Sequence, residues 1–130
     1  MRIIINIDVP ELEPAIAFYC GALGLAHGRT LENSVAELTC GSSIIYLLHN
    51  PPGSGATSST SEVRRYSRHW TPVHLDFVVD DLAQATERAL KAGAKQESEC
   101  IEWKHSRCIT FSDPFGHGFC LIEFDGETYS

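Results

Sequence analysis

The stretch VHLDFVVDDLAQATERALKAGA (residues 73–94) changes its period partway along. Its first part alternates, with Val73, Leu75, Phe77 and Val79 on one face and His74, Asp76 and Val78 on the other, as a strand requires. Beyond Asp80 the period lengthens. Leu82, Ala85, Ala89 and Leu90 then fall on one helical stripe, while Glu87, Arg88 and Lys91 face water. Asp80 or Asp81 can cap this helix, and Gly93 supplies the left-handed residue that ends it. The second strand face sets a histidine and an aspartate among branched apolar residues, so it meets either a polar cavity or bulk water.

The same pattern occurs earlier in the chain. At a shift of 70 positions, residues 3–24 overlie residues 73–94: Val9 meets Val79, Glu11 meets Asp81, Leu12 meets Leu82 and Ala15 meets Ala85. In the earlier copy Ile3, Ile5, Ile7 and Val9 share one strand face and Ile4, Asn6 and Asp8 the other. The predicted helix carries Leu12, Ile16, Tyr19, Cys20 and Leu23 along its apolar stripe, tolerates Pro14 in its first turn and stops at Gly24. Short strand-like runs follow each helix: SVAELTC and SIIYLLH in the first half, CIEW, RCITFS and GFCLIEF in the second. Turns at residues 40–42 and 113–116 separate them. The chain therefore reads as strand, helix and two or three strands, written twice.

Residues 50–70 between the copies are rich in Gly, Pro, Ser and Thr and end in the basic run RRYSRH. This organisation predicts a first module over residues 1–49, a linker or lid loop over 50–71 and a second module over 72–130, together one compact domain. At 130 residues the chain can bury a real core. Its net charge of −7 argues against nucleic acid, whose phosphates demand clustered cations. The early apolar run, Ile3 to Ile5, is too short for a signal peptide or a membrane span, so a cytoplasmic location and no membrane partner are expected. Five cysteines without a CxxC pair read as reduced packing residues rather than a disulfide or zinc framework.

The paired repeat and the segment FSDPFGHGFCLIEF (residues 111–124) resemble the vicinal oxygen chelate superfamily, which includes glyoxalase I, bleomycin-resistance proteins and extradiol dioxygenases. The resemblance implies an α+β fold of two βαβββ modules whose curved mixed sheets surround a cleft, and a homodimer. It also implies metal ligands on the first and last strands of each module. Carried over, these are His74 and Glu123, holding a divalent ion such as zinc, nickel, manganese or iron. The first module departs from that pattern. Ile4 stands at the position of His74, and aligning GSSIIYLLH with GHGFCLIEF sets Leu48 opposite Glu123, with His49 on the far face. Half a ligand set argues against full glyoxalase I activity.

Asn6 and Asp76 are expected to face the cleft, where they could orient a ligand; Tyr46, Phe119 and Leu121 are expected to line it, with Trp70 at its edge. Two functions compete. One is a metal-dependent lyase, isomerase or dioxygenase-like enzyme acting on a small oxygen-rich molecule, with Glu123 as ligand or proton carrier. The other is a metal-free protein that binds and sequesters a small antibiotic-like molecule.

Overall fold

The computed structural model describes residues 1–130, which divide into two units, Met1–Ser67 and Arg68–Ser130. The first contains β1 (Ile5–Val9), α1 (Leu12–Leu23), β2 (Ala26–Leu31), β3 (Val35–Cys40) and β4 (Ser43–His49). The second contains β5 (Leu75–Val78), α2 (Leu82–Ala92), β6 (Lys95–Gln96), β7 (Ile101–Trp103), β8 (Ser106–Ser112) and β9 (Gly118–Phe124).

In the first unit the strand order is β1-β4-β3-β2, with β1 parallel to β4 and the remaining pairs antiparallel. The expected βαβββ order is therefore present. Ile45 and Leu47 of β4 and Ala36 and Leu38 of β3 are buried, and they share their sheet face with Ile5, Ile7 and Val9 of β1. The helix seats Ala15, Phe18, Tyr19 and Ala22 in the core, rather than the predicted stripe through Leu12, Ile16, Cys20 and Leu23. Ala15 and Ala22 are fully buried there, while Leu12, Ile16, Cys20 and Leu23 are only partly so. Gly24 closes the helix at φ 68°, a left-handed conformation that costs other residues their Cβ clearance. The exposed β2 carries no apolar alternation, which is why the sequence left it undefined.

The second unit repeats the plan as β5-β9-β8-β6, with β5 parallel to β9 and β7 paired to β8 beside β6. Asp81 accepts the Gln84 amide at 3.0 Å as the expected cap. Leu82 and Ala89 of α2 are buried, whereas Leu90 is exposed. Under the helix lie Phe111, Phe119 and Leu121; Phe119 stacks on Phe111 at 5.6 Å and meets Phe77 edge-on at 6.0 Å. Before β9, the buried Asp113 carboxylate accepts the backbone amides of Phe115 and His117 at 2.8 and 2.9 Å, fixing the turn that launches the last strand.

The segment after β4 is tied to the first unit. Asn50 donates its backbone amide to Val9, Tyr66 donates its hydroxyl to the Asn50 carbonyl, and Gly55 bridges Val63. Arg64 reaches Asp8 at 2.7 Å and donates to the carbonyls of Gly55 and Ala56. No helix is long and apolar enough to cross a membrane.

Candidate functional site

The parallel register of β5 and β9 places Asp76 opposite Cys120, and the antiparallel register of β9 and β8 places Cys120 opposite Thr110. These three side chains, with His74 at the entry to β5, share the sheet face away from α2. The His74 Nε2 lies 3.2 Å from Asp76 Oδ1. One donor atom each from His74, Asp76 and Cys120 lies within 4.8 Å of the other two. His74 and Asp76 are partly open to solvent, at 38% and 37% of their side-chain surface, while Cys120 is 7% exposed.

Burial pushes the Cys120 thiol above its ordinary value, against the Thr110 hydroxyl, which approaches Sγ at 3.5 Å and favours the thiolate. Cys108, on the same face of β8, hydrogen-bonds the Cys120 thiol. Its own thiol is pushed up to about 12, chiefly by burial and then by the neighbouring sulfur.

Arg68 and Trp70 stand beside this cluster. The Arg68 guanidinium forms two 2.8 Å hydrogen bonds with Glu97 and a further one to the His69 carbonyl. It lies directly over Gly118, where an added Cβ would meet Nη2 at 2.6 Å. Trp70 is 70% exposed, and its ring sits 6.0 Å from the His74 ring at 43°. A cavity of about 100 Å³ is bounded by Arg68, Trp70, Thr71, His74, Thr110, Gly118, Phe119 and Cys120.

Glu123 is not part of this face. Its carboxylate accepts the Leu82 amide at 2.6 Å, at the start of α2, and pairs with Arg107. The structure brings His74 and Asp76 together, whereas Glu123, expected beside His74, lies on the opposite face of the sheet. The reason is an offset of one. The glycine-anchored alignment equates Leu48 with Glu123, a shift of 75, but β1–β4 and β5–β9 pairing equates Tyr46 with Cys120, a shift of 74. One residue turns a strand side chain through the sheet. For the same reason Leu121, expected to line the cleft, is packed in the core of the second unit; the Phe119 ring is packed there too, although Phe119 also borders the cavity. Cys120, expected to be a packing residue, stands in the group with His74 and Asp76 instead. Its signal lay in the large apolar residues at 119 and 121: assigning them to the helix side puts Cys120 with Asp76.

In the first unit Asn6 lies opposite Tyr46, and Tyr46 opposite Glu37, on one sheet face. The Tyr46 hydroxyl donates to Glu37 at 2.8 Å, and the Arg29 guanidinium also reaches that carboxylate. Tyr46 first and Arg29 next hold the Glu37 carboxyl below the usual carboxylate range. The equivalents of His74, Asp76 and Cys120 are thus Ile4, Asn6 and Tyr46. His49 falls in the Glu123 phase, away from Asn6 and Tyr46.

The donor set suits a metal on chemical grounds. Imidazole, carboxylate and thiolate are ordinary ligands of a zinc-like ion, and three of them leave a coordination position open. Zinc–ligand bonds of about 2.0–2.3 Å put tetrahedral ligands roughly 3.3–3.8 Å apart. The observed spacing reaches that range through small rotations of the two solvent-open side chains.

DauV of Streptomyces sp. (strain C5), described as an anthracycline biosynthesis protein, is 26% identical over 121 residues; the match takes in 92% of this chain and 40% of that protein. The chain thus spans well under half the length of that relative. Among solved structures, hypothetical protein SA1046 from S. aureus superposes with a TM-score of 0.75 at 18% identity, covering 95% of this chain and 93% of that one. The fosfomycin resistance protein FosX from Listeria monocytogenes gives 0.72 at 18% identity, covering 95% and 92%. At such identities these two likenesses show the fold alone. Residues 4–122 match the family model described as a glyoxalase-like domain, and with it the chain belongs to the glyoxalase-like domain family of the vicinal oxygen chelate superfamily.

Proposed function

We propose that the chain binds a small organic molecule at the cavity beside His74 in the second unit, with a flat apolar portion against Trp70 and polar groups toward His74, Asp76 and Thr110. The observation that carries this reading is the Trp70 ring, largely exposed and held beside the His74–Asp76 pair. An exposed indole offers area and a polarisable face at little ordering cost. The cavity beneath it is smaller than a drug-sized site, so it suits one ring or substituent rather than a whole ligand. Relatives named for anthracycline biosynthesis and fosfomycin resistance make antibiotic-like molecules, planar polycyclic ones first, the class to try.

The test is fluorescence and calorimetric titration with planar polycyclic quinones in a Trp103→Phe background, which leaves Trp70 as the single indole. Micromolar binding that Trp70→Ala weakens about tenfold, the scale of one lost aromatic contact, is expected. Equal affinity in wild type and Trp70→Ala would sink the reading.

A second reading is supported by the three convergent donors: an enzyme that uses a divalent metal held by His74, Asp76 and Cys120. When bound, such an ion polarises a substrate oxygen and stabilises the charge that develops on it. The protein's part is to present the ligands on two adjacent strands and to place the substrate against Trp70. Metal analysis of the purified protein and of His74→Ala tests it.

A further inference from the structure

We infer that His74, Asp76 and Cys120 constitute a thiophilic cation site, selective for zinc-class ions over magnesium or manganese, in which Thr110 and Cys108 serve as hydrogen-bond donors to the Cys120 sulfur. The inference rests on the metal reading and goes beyond it, because it assigns the class of ion and the residues that set that class.

The argument begins with the register. Cys120 is the middle residue of a row running Asp76, Cys120, Thr110 across three adjacent strands. A sulfur at that point receives side chains from both neighbouring strands. From β5, Asp76 and His74 approach with oxygen and nitrogen donors. From β8, the Thr110 hydroxyl lies 3.5 Å from Sγ, and Cys108 adds a second hydrogen bond. The two sides are chemically different. The β5 side offers ligands with lone pairs, whereas the β8 side offers donor hydrogens, which a thiol needs little and a thiolate needs much.

Such an arrangement lets a metal replace the thiol proton on the β5 side while the β8 side disperses the remaining charge on sulfur. Cys108 is not itself a ligand. It lies a strand away from β5, diagonal to Cys120, and falls outside the donor group. The identity of the central donor decides the ion. Magnesium and manganese are held by carboxylates, carbonyls and water, whereas a thiolate beside an imidazole favours zinc, cobalt or cadmium. Open solvent at His74 and Asp76 gives the ion an entry path, and Trp70 stands beside His74.

The test uses the full chain, kept reduced and stripped of metal, titrated with cobalt(II) and then with zinc(II) and manganese(II). Wild type is expected to bind one cobalt with a near-ultraviolet sulfur-to-metal charge-transfer band, and to hold zinc at least about a hundredfold more tightly than manganese. Cys120→Ser should remove the band. His74→Ala, at a solvent-open position where the fold is not at risk, should weaken zinc by at least about tenfold. Thr110→Val and Cys108→Ala should keep the stoichiometry, shift the band to longer wavelength and weaken zinc by about tenfold, the scale of losing a partner of a ligand. Cobalt binding without the band, or manganese held as tightly as zinc, overturns the inference while leaving the metal reading standing. No cobalt or zinc bound at millimolar ion overturns both.

Discussion

Asp76 on β5 lies directly opposite Cys120 on β9, so Glu123, three residues further along β9, points through the sheet toward the start of α2. That relationship separates two roles that the amino-acid sequence left mixed. The face bearing His74, Asp76 and Cys120 borders the small cavity beside Trp70. On the other face the Glu123 carboxylate accepts a first-turn amide, which satisfies a backbone donor and complements the positive end of the helix.

Glu123→Ala is therefore expected to lower stability while leaving ligand and metal binding within a factor of two of wild type. The loss should be about 1–2 kcal/mol, as for removal of a helix cap. The pairing with Arg107 adds little, since that arginine is nearly half exposed. Urea denaturation gives the first quantity and titration the second. A variant that binds metal or ligand tenfold more weakly at unchanged stability would return Glu123 to the site.

The contrast between β5 and β9 explains what the sequence made legible. In β5, polar and apolar residues alternate, so His74 and Asp76 could be assigned to one face by inspection. In β9, Phe119, Cys120, Leu121 and Ile122 are all buried, and a strand buried on both sides carries no alternation to read. Its face assignment depended on an alignment anchored at glycines, and a single position of error exchanged Cys120 for Glu123. The helices, their glycine stops and the repeat were readable because capping and 3.6-residue periodicity are local. Arg68 and Arg64 were not, because their partners Glu97 and Asp8 are distant in the chain and only the fold brings them together.

Gly118→Ala tests how the cavity wall is held. The new methyl would collide with the Arg68 guanidinium. That group ends a flexible side chain, so it can move, at the cost of its paired hydrogen bonds to Glu97. A loss of about 1 kcal/mol is expected. The same glycine substitution in an Arg68→Ala background should cost almost nothing, giving a coupling of similar size in the double-mutant cycle. Additive losses would show that the arginine does not depend on the bare backbone at 118.

Acid should release the same contact. The Arg68 guanidinium holds the Glu97 carboxyl below its ordinary value, outweighing the opposing effect of burial. A folded-state value lower than the unfolded one means that the stabilisation is complete above the unfolded value of about 4.5 and is lost as the pH falls below it. Unfolding free energies of wild type and Glu97→Gln should differ at pH 7 and converge toward pH 3. Parallel curves over that range would assign the acid sensitivity elsewhere, with Glu37, shifted in the same direction, the next group to substitute.

Arg64 organises the 50–67 segment of the first unit. Its guanidinium joins Asp8 on β1 to the Ser54 hydroxyl and to the carbonyls of Gly55 and Ala56. An alanine there leaves two carbonyls without this donor and removes the fastening to β1, although Asn50 still reaches Asp8 at 2.8 Å. The expected cost is about 2 kcal/mol, concentrated in local opening rather than global unfolding. Limited proteolysis with a protease of broad specificity should cut between residues 53 and 63 at least about tenfold faster in Arg64→Ala, since cleavage of an opening segment follows its open population. Arg64→Lys keeps the charge opposite Asp8 but loses the planar fork that serves several acceptors at once, so its rate should fall between the two. If lysine and alanine are cut equally fast, the carbonyl contacts hold the segment and the ion pair adds nothing. If neither is cut faster than wild type, the Asn50 and Tyr66 hydrogen bonds suffice to hold it.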